Sequence, residues 1–514
     1  MAIAKYFSKD LLAIKQIFAH GSLEKFEELL NAHVIEIAFD AKALNKAGLA
    51  TLDLLTRLVS RLYPRIKFTF LGGGTSPYTD QFAKLSSLIN AGIEITEAPA
   101  TLSIIVGESG CVRAGKVIFV GSDNWLAKIS TKNPIGSQEC SNPFGAGIAA
   151  CLAASNAFRF VFKDHIQKEL DDEAMFDLLN LNSSVNHSIV PPDLDVVELG
   201  VIHLAGMGAI GNGFLWGLAS LPGAKGELII VDSEKISVSN LQRYVCTLEH
   251  DVDRTKVELA STYLSGSKLA CVPFKGTWAE YMQNRVDQID LVATAVDSAR
   301  DRIGVQSSLP RLILNGYTET NIAGVTRHLN FGASACLACG FVPEKKMRDH
   351  SQEVADNLGI PNMENQVRHY VAYDFPVDDA LLNLISQGNG ISIDDLAQFR
   401  GQPFSSFYSN AVCGGMLLSL AGSSNLNASM EAPLAFQSAL AGIMLASEVV
   451  LVKSGYRTAL SLPNSTQVYP LLKINDLNPY TTNLSRDLTM RCICNDQDFK
   501  LVYEDKWRPN TSLA

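Results

Sequence analysis

Apolar residues recur at helical spacing in LLAIKQIFA, LEKFEELLNAHV and LATLDLLTRLVSRLY, so residues 1–63 read as helical. From Ile66 the pattern shortens to strand-like runs: IKFTFL, followed by Gly72, Gly73 and Gly74, then SIIVG, KVIFVG and NWLAKIS. Asn142-Pro143-Phe144-Gly145 opens a long Ala-rich helix ending near Phe162. The polar, proline-containing stretch Leu181–Asp195 reads as a linker, which closes a first α/β unit over residues 1–190. A second unit, residues 191–342, runs through strand VIHLAG, a glycine-rich turn, a helix, strand ELIIVD, a helix near Arg254–Leu264, and strands DLVATAVD and RLILNGY. That βαβαβ order implies a parallel sheet. Residues 343–410 are helical again, with DDALLNLISQ and SIDDLAQF. The last segment, 411–514, holds a second Ala-rich helix over 432–453 and a β-leaning tail. Two α/β units in tandem raise the possibility of a diverged duplication.

Composition narrows the class. At 514 residues, 47% hydrophobic and 19% charged, the chain is neither disordered nor a coiled coil. A net charge of −10 argues against a surface built to hold nucleic acid. The N-terminus lacks a secretory pattern. Phe144–Phe162 contains Asn156 and Arg159, and Ala432–Val452 contains Gln437, Ser438 and Glu448, so both read as buried helices rather than membrane spans. The expectation is a cytoplasmic protein with reduced thiols and no membrane partner.

The chemistry begins at Gly206-x-Gly208-x-x-Gly211, directly after a strand and opening a helix. Glycines there let phosphate approach the backbone and meet the helix N-terminus. Asp232 ends the next strand, where a ribose-binding acid belongs. That signature alone suits any dinucleotide site. A downstream series is more specific: Asp232 with Glu234, then Ser239-Asn240-Leu241-Gln242-Arg243, then Lys256, then Asp297 with Arg302. This ordered series resembles the ubiquitin-activating enzymes and the thiamine- and molybdopterin-pathway adenylyltransferases. The resemblance implies that Asp232 holds ribose hydroxyls, that Asn240, Arg243 and Lys256 contact the triphosphate of ATP, and that Asp297 binds Mg²⁺. Two positions depart from the family pattern: Tyr244 replaces a glutamine, and Ser298 an asparagine. Taken outside the series, Lys256 reads as a solvated helix face and Arg302 as a surface ion pair.

Ten cysteines are too few for a disulfide scaffold, but their placement is informative. Cys336-x-x-Cys339 and Cys492-x-Cys494 supply four thiolates suited to tetrahedral Zn²⁺, the second pair more closely spaced than usual. Relatives carry cysteine pairs at both places. Cys413, in FYSNAVCGGMLL, stands where those relatives that pass their substrate onward carry a thioester-forming cysteine on a crossover segment. Its thiolate would suit that attack. Ala441-Gly442 and Glu448 lie in the helix after it. Cys111, Cys140, Cys151, Cys246 and Cys271 read as core or incidental. His20, His33, His203 and His328 lack metal-ligand spacing and read as packing or surface residues.

NPFGAGIAACLAASNAFRFVF, after GSDNWLAKIS, gives the first unit a resemblance to the inactive adenylation half of bacterial activating enzymes associated with antiviral ubiquitin-like conjugation. Gly72–Gly74 is no GxGxxG and lacks the charged series, which fits a degenerate copy. The expected architecture is therefore α/β, with two tandem Rossmann-like adenylation domains, the first degenerate and the second active, plus a helical insert and a crossover. The resemblance implies ATP-dependent activation of a ubiquitin-like protein, thioester formation on Cys413, and transfer to an E2-like conjugating enzyme. It also implies either a monomer with an internal pseudo-dimer or a homodimer, and an inactive half that can lend a cation to ATP. An adenylyltransferase acting on a peptide or sulfur carrier without a thioester, and an NAD-dependent oxidoreductase, are the alternatives.

Overall fold

Two sheets with one strand order organise the molecule. In a computed structural model, the structure describes residues 23–111, 113–166, 168–182, 190–283, 285, 288–319, 321–342, 350–408, 433–457, 464–468 and 480–508. The first sheet comprises β1 (Ile35–Phe39), β2 (Arg65–Phe70), β3 (Glu94–Ile95), β4 (Leu102–Val106), β5 (Lys116–Asp123), β6 (Leu126–Ser130) and β7 (Glu173–Asp177). Its order is β3-β2-β1-β4-β5-β6-β7, parallel through β5 and antiparallel from β6. The second comprises β8 (Val197–Ala205), β9 (Ala224–Val231), β10 (Leu269–Phe274), β11 (Leu291–Thr294), β12 (Leu312–Glu319), β13 (Ile322–His328), β14 (Ser465–Val468) and β15 (Tyr480–Thr482). Its order, β10-β9-β8-β11-β12-β13-β14-β15, repeats the first and adds one strand. Both are Rossmann-like sheets whose strand order reverses beside the first strand, the place where such folds bind ligands. The expected pair of tandem Rossmann-like units is present.

The expectation that residues 1–63 are helical fails at β1. IEIAF is a central parallel strand buried along its whole length, and a run that short carries no period to separate strand from helix. Glu36 lies buried in its middle because Thr69 and Ser103 donate to its carboxylate at 2.6 and 2.5 Å, with Arg113 3.5 Å away. Gly72–Gly74 consequently comes after the second strand of its sheet, and the counterpart of the phosphate turn is Asp40–Asn45. The tail also departs from expectation. After β15 it forms a helix, Gln497–Lys506, because Asp496 caps it by accepting the amides of Asp498 and Phe499.

Among the described residues, four helices join the sheets: α1 (Lys46–Val59), α2 (Phe144–Val161), α3 (Ala209–Ala219) and α4 (Ala435–Lys453). The two long Ala-rich helices, α2 and α4, are apolar enough to span a membrane by length and composition, yet both are buried here. Small residues set their distances. A Cβ on Gly147 would stand 2.5 Å from the Trp216 ring, and one on Gly442 would stand 2.2 Å from the Ile210 carbonyl oxygen. The second clash is with backbone that cannot step aside, so Gly442→Ala should force α4 away from α3. We expect a loss of about 1–3 kcal/mol, read as a lower urea midpoint, with nucleotide affinity falling because Ile210 belongs to the glycine turn.

Residues 5–32 and 343–434 form a second compact unit. Its described part contains helices Leu23–Asn31, His350–Asn357, Glu364–Tyr373 and Asp379–Asn389, with shorter turns to Tyr408. Leu358, Val367, Leu381, Leu382, Ile385, Phe399 and Phe407 form its core. Cys413 lies outside the described residues.

Candidate nucleotide site and cysteine cluster

The turn after β8 is shaped by its glycines. Gly206 has φ +91°, and a Cβ there would stand 2.9 Å from the Ala295 carbonyl oxygen. A Cβ on Gly211 would meet the Gly206 carbonyl oxygen at 2.6 Å. Backbone alone can line this turn, which leads into the N-terminus of α3. Asp232, just past β9, accepts the Met207 amide at 2.7 Å and the Glu234 amide at 2.8 Å. Burial raises its pKa although Lys256 opposes the shift.

Lys256 begins a short helix, Lys256–Tyr263. Its side chain is buried, paired with Glu234, and 3.9 Å from Asp232. Burial opposes its charge, but Tyr244, Asp232 and Glu234 outweigh burial and hold it above the usual lysine range. The solvated helix face that its position alone suggested is not what forms. The Tyr244 ring lies under the ammonium, 5.3 Å from centroid to Nζ, and its hydroxyl stands 3.7 Å from where a Cβ on Gly208 would be. Burial raises the Tyr244 pKa, so the hydroxyl remains a donor at neutral pH.

Asn240 accepts the Ser237 amide at 2.9 Å and thereby shapes the turn before Arg243. Arg243 Nε is buried without a hydrogen-bond partner, and so are both amide atoms of Gln242. Such orphaned polar groups are costly unless a ligand completes them. Asp297 comes after β11, across the switch point from the glycine turn, with an exposed side chain. Arg302 is buried rather than on the surface, donating to the Asp297 carbonyl oxygen at 3.0 Å and to Asn315 at 3.4 Å. Ser298 caps the next helix by accepting the Asp301 amide at 2.9 Å, which accounts locally for that departure from the family pattern.

At the same point of the first sheet the arrangement is closed. The Asp40 carboxylate, just past β1, accepts the amides of Lys42 and Ala43 at 2.8 and 3.2 Å, and that of Glu108 beyond β4 at 2.8 Å. The side chain thus takes backbone donors that a phosphate would otherwise use.

The cysteines from distant parts of the chain converge. Sγ atoms of Cys336, Cys339, Cys492 and Cys494 lie within 4.8 Å of one another. Cys336 is 3.8 Å from Cys339 and 3.4 Å from Cys492, while Cys339 is 3.6 Å from Cys492 and 3.4 Å from Cys494. A tetrahedron of sulfurs about 2.3 Å from a zinc ion has edges of about 3.8 Å, so the set fits such an ion despite the tight Cys492–Cys494 spacing. The Asp487 amide points at Cys339 Sγ at 3.4 Å, and Cys339 is favoured as thiolate by its neighbouring thiols, Cys336 first. His328 and His203 are packing residues as expected, bonded to Thr326 at 2.8 Å and to Tyr281 at 2.9 Å respectively.

Sequence reasoning missed the role of α1. Its Arg57, with Arg61 just beyond, donates to backbone carbonyls of residues 244–247, and its Asp53 accepts from Trp216 on α3. Only knowledge of which helix faces the turn could have exposed these residues, since nothing local marks them.

Residues 189–487 match the model of the ThiF family, and residues 38–163 match that of Prokaryotic E2 family C. The chain is 37% identical over 516 aligned positions to the uncharacterized protein y4jF of Sinorhizobium fredii (strain NBRC 101917 / NGR234), covering 99% of this chain and 98% of that protein. Among solved structures, E. coli MccB with MccA-N7isoASN is similar at 16% identity and TM-score 0.36, covering 58% of this chain and 68% of that one. E. coli MccB with ATP is similar at 17% identity and TM-score 0.34, covering 57% and 66%.

Proposed function

The chain belongs to the ThiF family of adenylyltransferases, and from that premise we propose that it is a cytoplasmic activating enzyme for a ubiquitin-like protein. One observation carries the reading: at the second sheet's switch point Asp232 accepts the Met207 amide of the glycine turn with the buried Lys256 3.9 Å away, whereas at the first the Asp40 carboxylate takes the backbone donors itself. That contrast supports an active second half and an inactive first half. The match to Prokaryotic E2 family C supports a pathway that ends on a conjugating enzyme.

In this reading the C-terminal carboxylate of the protein substrate attacks the α-phosphorus of ATP. The bond to the bridging oxygen breaks, pyrophosphate leaves, and an acyl-adenylate remains. Two anions meet in that step, so cations must offset the developing charge. Arg243 and Lys256 do so, with Asp232 holding ribose and Asn240 shaping the turn. Mg²⁺, which the exposed Asp297 carboxylate would hold, supplies further neutralisation of the phosphates. The Cys413 thiolate then attacks the acyl carbon, AMP leaves, and the thioester passes to a cysteine of the conjugating partner. Cys336, Cys339, Cys492 and Cys494 hold a structural Zn²⁺ apart from this chemistry.

With ATP and a cognate ubiquitin-like protein, the chain should form an adduct cleaved by free thiol. Cys413→Ala should lose the adduct while keeping ATP–pyrophosphate exchange, and Asp297→Ala should lower exchange by about 10²-fold or more and abolish the adduct. An adduct that survives in Cys413→Ala would remove the nucleophile assignment. Exchange without an adduct in the unaltered chain would leave an adenylyltransferase lacking a thioester step.

A further inference from the structure

The first half reaches the nucleotide site through backbone, not phosphate. Arg61 is only 2% exposed, and its Nη2 donates to the carbonyl oxygens of Tyr244 and Thr247, both at 2.6 Å. Arg57 Nη1 donates to the Val245 carbonyl oxygen at 3.1 Å, while its Nε is fixed by Asp53 at 2.9 Å. The same Asp53 oxygen accepts Trp216 Nε1 at 2.8 Å. These three carbonyls belong to the four residues immediately after Arg243. Their segment is joined in turn to the glycine turn, because Asn212 accepts the Cys246 amide at 3.2 Å and donates to the carbonyl oxygens of Met207 and Gly208 at 3.3 and 2.9 Å. Arg57 also lies 5.6 Å from the centroid of Tyr263, at the far end of the helix that Lys256 begins. One helix of the first half therefore touches the supports of Arg243, Lys256 and the glycine turn together.

We propose that Arg57 and Arg61 are positioning residues: they hold residues 244–247, and through them Arg243 and the glycine turn, without touching the phosphates. The proposal rests on the reading of this pocket as an ATP site. Its physical basis is the steep dependence of transfer chemistry on placement, where a shift of about 1 Å can cost about 10²-fold. Five donors in a planar fork suit a guanidinium to bridge carbonyls at the two ends of a turn, which a lysine cannot match.

The test compares binding of Mg·ATP and of adenosine to the full chain. Arg61→Met should weaken Mg·ATP by about tenfold or more and leave adenosine within about twofold, the split also expected for Arg243→Met. In the double variant Arg61→Met/Arg243→Met, the combined loss should fall well short of the product of the single losses, because part of what Arg61 supports is Arg243 and the rest is the glycine turn. Losses that multiply, or ATP binding that does not change, would overturn the proposal. Should Arg61→Met fail to fold, Arg57→Gln and Asp53→Asn carry the same comparison. Amide hydrogen exchange separates this proposal from the function it rests on. Without nucleotide, the positioning variants should lose protection at residues 244–247; unchanged protection ends the proposal, whereas an unaltered chain that binds no ATP ends the adenylation reading.

Discussion

Glu448→Gln should lower the urea midpoint of the chain by the equivalent of about 3–5 kcal/mol, with little of that loss recovered by adding ATP. Glu448 is fully buried on α4, where Arg327 Nε donates to it at 2.6 Å and Arg457 Nε at 3.0 Å. Arg457 extends the network by donating to the carbonyl oxygens of Leu178 and Leu179, at 2.8 and 2.5 Å. Strand β13 and helix α4 thus meet on one carboxylate, and Arg457 links it to the end of the first sheet. Removing its charge takes away the buried carboxylate that both arginines share, which is why the expected loss exceeds that of a surface pair, at about 0–1 kcal/mol. Burial works against the charge of Glu448, yet the two arginines outweigh it and hold its pKa at about 2. Because its pKa is lowered in the fold, this stabilisation is complete above the ordinary carboxylate range and declines as pH falls toward about 2. In the Gln variant the acid limb of stability should flatten over that window. A midpoint unchanged by the substitution would show that the network adds nothing net.

The second large effect belongs to the cysteines. One zinc ion per chain should be found by elemental analysis, and Cys336→Ser or Cys494→Ser should abolish it. Apparent binding energies for structural zinc reach about 10–16 kcal/mol and are coupled to folding, so chelation should release whatever the cluster holds. Here that is the tail. Besides the sulfurs, β15 pairs with β14 in the second sheet, and residues 497–507 are tied to the second half by the Phe331–Tyr503 ring contact, by Lys506 Nζ on the Ser308 carbonyl oxygen at 3.0 Å and by Trp507 Nε1 on that of Leu309 at 3.1 Å. The two hydrogen bonds at the end of this helix are only partly buried. We expect limited proteolysis after chelation to remove the tail first, while the strands near Ala205 and Ala295 stay protected. Metal-free protein with undiminished resistance to protease would overturn the role.

Much of the nucleotide site was legible because its constraints are local. A turn that brings phosphate to backbone needs glycine, and Gly206 with its positive φ obeys that rule in sequence and in structure. The charged series was legible only as an ordered pattern. What Lys256 touches depends on the fold, and position alone placed it on a solvated face. β1 was illegible for a related reason: five residues are too short a run to set a period, and helical spacing flanks them on both sides. Glu36 is tolerated there because Thr69 and Ser103, distant in the chain, supply its donors. The convergence of four cysteines could be anticipated from their number and placement, although Cys492 and Cys494 stand closer than the usual spacing. Arg57 and Arg61 could not, since a helix bearing arginines announces neither its neighbour nor the carbonyls it will meet.

The repeated strand order has a further meaning when the two sheets are considered as companions. Where a pocket is completed by a separate polypeptide, that polypeptide can be lost on dilution or exchanged for another. Here the companion is covalently attached and stays at a fixed, high effective concentration. Asp40 could occupy the first switch point, and α1 could become a brace, without any second chain having to change in step. Every copy of the pocket inherits its own support.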